Sequence, residues 1–81
     1  MFYQKSFFVH ADELQRSFEE NGVSARTSNP LRQKGIYRPI DLLMKEVNLY
    51  QVRNLRKHGR NQILNLMDSL GYEYHHSGPK F

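Results

Sequence analysis

Arg53, Arg56, Lys57 and Arg60 place four cations inside eight residues, and the amide side chains Asn61, Gln62 and Asn65 follow directly. The chemistry open to such a set is recognition of a polyanion. Guanidinium and ammonium groups neutralise phosphates and release condensed counterions. Asn and Gln amides can pair with the edge of adenine in a major groove. Phosphate contacts fix position, and base contacts select sequence. These seven residues form the candidate nucleic-acid-binding set.

The charge distribution agrees with that reading. The 81-residue chain carries a net charge of +4 and a pI near 9.6. Residues 1–25 set Lys5 and Arg16 against Asp12, Glu13, Glu19 and Glu20, a balance of −2. Residues 26–60 set nine cations against Asp41 and Glu46, a balance of +7, and residues 61–81 balance at −1. A local excess of that size attracts polyanions.

Catalytic readings lack a constellation. Of the four histidines, His75 and His76 are adjacent and on a strand would point to opposite faces, while His10 and His58 stand alone. Asp12 with Glu13 and Glu19 with Glu20 read as exposed helix charges. There is no glycine-rich phosphate loop and no HExxH helix. The absence of cysteine excludes disulfides and a thiolate zinc site. The expectation is a chain that is not an enzyme and uses no metal and no cofactor.

The elements that must hold the basic cluster follow from punctuation and period. Phe2–Val9, rich in aromatics, reads as a strand. Asp12, with Gln15 three residues on, reads as the cap of a helix carrying Ala11, Leu14 and Phe18 inward and closed by Asn21-Gly22. Val23–Thr27 reads as a second short strand and Ser28-Asn29-Pro30 as a loop. Pro39 opens a helix with Ile40, Leu43, Met44 and Val47 on one face. Asn48, with Gln51, caps a further helix with Leu49, Val52 and Leu55 inward, ended by Gly59. Asn61 caps a last helix with Ile63, Leu66, Met67 and Leu70 inward, stopped by Gly71. Tyr72–His76 reads as a strand able to pair with Phe2–Val9, and Ser77-Gly78-Pro79 as a turn. The fold class expected is α+β, mainly helical, over one small domain of residues 1–81. An N-terminal strand and helix precede a three-helix unit, helix-turn-helix-like or helix-hairpin-helix-like, around the basic turn Arg56–Arg60.

Gly59, Ile63 and Leu66 are similar to the second half of the helix-hairpin-helix motif, with Lys57 where that motif has its earlier glycine. The stretch Gly35-Ile36, Asp41-Leu42-Leu43, Glu46-Val47, Asn54-Leu55 and Gly71 resembles the C-terminal domain of the bacterial RNA polymerase alpha subunit, with Arg56 at its hairpin glycine. The resemblance implies a helical DNA-binding unit.

Two functions from different classes follow as expectations. One is a small regulator that binds nucleic acid, DNA before RNA. The other is an accessory or inhibitory protein, of the kind found in phages and mobile elements, that docks on a larger host protein through its acidic first helix and aromatic strand. A homodimer would add stability to so short a chain. The N-terminus lacks the long apolar run of a signal peptide and nothing approaches a membrane span, so the cytoplasm is the expected location.

Overall fold

The computed structural model describes residues 2–5, 10–45 and 47–75. They form a small α+β chain, mainly helical, in the order β1 (Phe2–Gln4), α1 (Ala11–Gln15), α2 (Ala25–Arg32), α3 (Pro39–Met44), a 3-10 turn (Leu49–Gln51), α4 (Lys57–Ser69) and β2 (Tyr72–Tyr74).

The first and last described strands meet as expected. β1 and β2 pair antiparallel, with Phe2 opposite Tyr74 and Gln4 opposite Tyr72. The Lys5 amide extends the ladder to the Gly71 carbonyl at 2.9 Å. Lys5 also pairs with Asp68 of α4. Expected strand residues 6–9 and 76, and the turn at 77–79, lie outside the described residues. Helix α4 keeps its expected inner stripe, with Ile63, Met67 and Leu70 buried, and ends at Gly71, whose φ of 99° suits glycine.

Four expectations are corrected. First, Val23–Thr27 is not a strand and Ser28-Asn29-Pro30 is not a loop; all but Val23 and Ser24 belong to α2. Ser24 is its extended N-cap. Burial overrides the β-branched and proline signals. Thr27 and Ser28 are buried, and the Ser28 hydroxyl donates to Glu19 Oε2 at 2.8 Å. Pro30 sits past the first turn, where it forgoes a single backbone bond.

Second, α1 starts after His10 rather than at Asp12 and ends at Gln15. Phe18 reaches the core from a separate turn. In it the Ser17 amide donates to Glu20 Oε1 and the Glu20 amide donates to Ser17 Oγ. The Asn21 side chain then ties that turn to α1, donating to the carbonyls of Glu13 at 2.9 Å and Ser17 at 3.0 Å.

Third, no helix runs from Asn48 to Gly59. Asn48 does act as a cap, accepting from the Tyr50 amide at 3.0 Å, but only a 3-10 turn follows. Asn54, at φ 69°, then redirects the chain. Gly59 lies inside the first turn of α4, and Asn61 is a mid-helix residue rather than a cap. The basic segment Arg56–Arg60 is therefore the start of a helix and not the turn of a hairpin.

Fourth, α3 is rotated from its expected face. Leu42 is buried, whereas Ile40, Leu43 and Val47 are half-buried and Met44 is exposed. Leu66 is half-buried as well. The core also holds Leu14, Phe18, Val23, Leu31 and Ile36 beside Leu49, Val52 and Leu55. Within it α1 rests on α3, and α4 rests on both α2 and β2.

Candidate nucleic-acid interface

Helices α2 and α4 meet at their N-terminal ends because the first turn of α4 contains a glycine. A Cβ on Gly59 would stand 3.1 Å from both Leu55 Cδ1 and Thr27 Oγ1, closer than side chains ordinarily tolerate. With no Cβ, the first turn of α4 can lie against Thr27 of α2. Ser24 reinforces the contact, its hydroxyl lying 3.2 Å from Gln62 Oε1 and 3.2 Å from Thr27 Oγ1.

The two helix starts enclose an open groove of about 660 Å³. Ser24, Arg26 and Thr27 form one wall; Asn54, Arg56 and His58 form the other, with Leu55 and Gly59 between. Neither helix has a side-chain cap or an acidic residue in its first turn. The first amides of a helix have no acceptor within it, and the macrodipole adds partial positive charge there. Two such ends at one groove, bearing two guanidinium groups, favour an anion.

Among the described residues, no carboxylate lines this groove. Glu19 accepts from Ser28 and pairs with Arg32 at 3.2 Å; the Ser28 hydroxyl, with backbone and Arg32 support, holds its carboxyl below the usual value. Asp41 accepts from the Tyr37 and Arg38 amides at 2.9 and 3.1 Å. Burial alone would raise its carboxyl, but these amides and the Arg38 guanidinium outweigh it and hold it low. Among the described residues, no ion pair involves Arg26, Arg56 or Lys57.

The seven expected site residues separate into groups. Arg56 lines the groove, and Gln62, one turn beyond His58, borders it with its carbonyl oxygen turned to Ser24. Lys57, Asn61 and Asn65 follow at intervals of four, all exposed, and form a polar stripe along α4. Arg53 is exposed on the turn before α4. Arg60 is turned aside: its guanidinium lies 4.2 Å from the centroid of the Tyr50 ring.

Arg26, Ser24, Asn54 and His58 were missed by sequence reasoning. A strand through residues 23–27 would have carried Arg26 away from the basic cluster. The available signal was Ser24 followed by Ala25, a capping residue ahead of the strongest helix former. Comparison with known protein families, with curated proteins and with solved structures finds no match to this chain.

Proposed function

We propose that the chain binds nucleic acid through its phosphates, duplex DNA in preference to RNA, and acts as a small regulator. The observation that carries this reading is the groove at which two uncapped helix starts converge with Arg26 and Arg56. Arg26 and Arg56 hold phosphates there, and Lys57 and Arg53 add charge outside the groove lining. A 13-residue helix with an exposed Lys57–Asn61–Asn65 stripe suits a B-form major groove, which admits a helix. The major groove of A-form RNA is too deep and narrow for one. Asn61 and Asn65 are free to address base edges, whereas Gln62, with its oxygen facing Ser24, offers chiefly its N–H donors.

The test is fluorescence anisotropy with labelled duplex DNA, single-stranded DNA and RNA at two salt concentrations. Wild-type affinity should fall with salt by about 0.9 log units per log unit for each phosphate held. Arg26→Glu with Arg56→Glu should abolish binding to every probe, while Asn61→Ala should erode sequence preference by roughly 1–3 kcal/mol. Unchanged affinity in the double reversal sinks the proposal.

A further inference from the structure

The groove between α2 and α4 is larger than a phosphate needs. Its volume of about 660 Å³ falls in the range of pockets that hold a whole small organic ligand. Its lining is not only cationic. Leu55, Thr27 and Gly59 are buried residues that line it between the charged walls. A phosphate bound alone makes no use of that surface.

The walls narrow the chemistry further. Arg26 stands on one wall and Arg56 on the other, with His58 and Asn54 beside Arg56. A guanidinium holds a phosphate through paired N–H donors. An imidazole offers a ring face on which a base can stack. The Asn54 amide offers both a donor and an acceptor to a base edge. The two guanidinium groups disfavour a metal ion or an amine. With no carboxylate among the lining residues, a neutral sugar lacks strong acceptors for its hydroxyls.

We propose that the groove holds one nucleoside monophosphate unit, with its phosphate at Arg26 and Arg56 and its base against His58, Asn54 and the Leu55–Thr27 surface. The inference rests on the phosphate-binding reading above and adds a base to the phosphate. In a paired duplex the bases are stacked inside, so the unit comes from one of two sources: a free nucleotide, or an unpaired nucleotide at a strand end.

Heteronuclear NMR titration of the full chain with deoxyadenosine monophosphate, deoxyadenosine and inorganic phosphate tests the pocket. The nucleotide should bind about tenfold or more tighter than either fragment, the scale of one base stacked on a side chain. It should shift the amides of Asn54, His58 and Gly59. Arg26→Glu should remove its binding. His58→Ala and Asn54→Gly should lower its affinity toward that of phosphate. Both variants should keep the wild-type circular dichroism, because His58 is exposed and alanine favours a helix, and glycine accepts the φ of 69° at position 54. Anisotropy with a blunt duplex, and with the same duplex carrying one unpaired 5′-phosphorylated nucleotide, separates the sources. A gain of about tenfold from the overhang assigns the groove to strand ends; equal affinities assign it to the free nucleotide. A nucleotide no tighter than phosphate, no tighter than deoxyadenosine, or unaffected by Arg26→Glu and His58→Ala overturns the proposal. Continued binding of the blunt duplex would then leave the phosphate reading standing, whereas loss of every duplex would remove both.

Discussion

Helices α3 and α4 begin in opposite ways. At the start of α3, Pro39 removes one orphan amide, and the Asp41 carboxylate accepts from Tyr37 and Arg38. At the start of α4, no side chain caps the first turn, no acid stands in it, and its glycine lets α2 lie alongside with an equally uncapped end. One start satisfies its backbone internally and stabilises the fold. The other leaves its first turn without a side-chain cap, beside a groove lined by Arg26 and Arg56. Substitutions at the α3 start should therefore move stability and spare binding. Substitutions at the α4 start should move binding more than stability.

Gly59→Val breaks the comparison hardest. A valine puts a branched side chain where even a Cβ would stand 3.1 Å from Thr27 and Leu55. Overpacking of this kind costs about 1–3 kcal/mol, and the two helix starts must separate. Nucleic-acid affinity in the anisotropy assay should collapse while the far-ultraviolet circular dichroism stays helical. Retained affinity would show that the convergence of α2 and α4 is not what binds.

Asp41→Ala should act in reverse. Loss of a carboxylate that accepts from two amides costs about 0.5–2 kcal/mol, as loss of a helix cap does, read as a lower urea midpoint. Affinity for DNA should not change beyond what the unfolded fraction explains. The same group sets a pH dependence. Asp41 and Glu19 are both held below their ordinary values. Their contribution is thus complete above the unfolded-state value near 4 and is lost as pH falls through the lower folded-state values. Urea midpoints should be level near neutrality and decline below about pH 4. In Asp41→Ala the decline should be shallower.

How far these features were legible follows from what local sequence encodes. The inner stripe of α4 and the end-to-end sheet could be read because period and punctuation agree there: Ile63, Met67 and Leu70 repeat before Gly71, and aromatics alternate after it. The site was half legible. The cations of α4 were visible, but their partner wall was not, because α2 forms against its local signals. Thr27, Ser28 and Pro30 are poor helix formers, held helical by burial and by the Glu19–Ser28 bond. Gly59 shows the same limit: it reads as a helix stop but serves close packing, and the difference depends on Thr27, 32 positions away. The face of α3 slipped because nearly every residue there is apolar, so period alone could not choose a side.

The smallest expected effect sharpens the comparison within α4 itself. Arg60 belongs to the same basic cluster as Arg56 but lies over Tyr50. Tyr50 leans on Tyr74 at 5.9 Å, and Tyr74 meets the edge of Phe2 at 4.9 Å. The Tyr74 hydroxyl donates to Asn48 Oδ1, which also accepts from the Tyr50 amide. Arg60 thereby fastens α4 to the terminal sheet. Were Arg60 a phosphate ligand, Arg60→Ala would flatten the salt dependence by about 0.9 of a log unit per log unit. As a cation stacked on Tyr50, its removal should leave that slope unchanged and cost about 0.5–1 kcal/mol of stability. For a chain of this size that is a fall in Tm of roughly 2–8 °C. Combining Arg60→Ala with Tyr50→Leu should cost less than the two separate losses added together, since either change alone already removes the stacking. Fully additive losses, together with a shallower salt slope, would return Arg60 to the groove with Arg26 and Arg56.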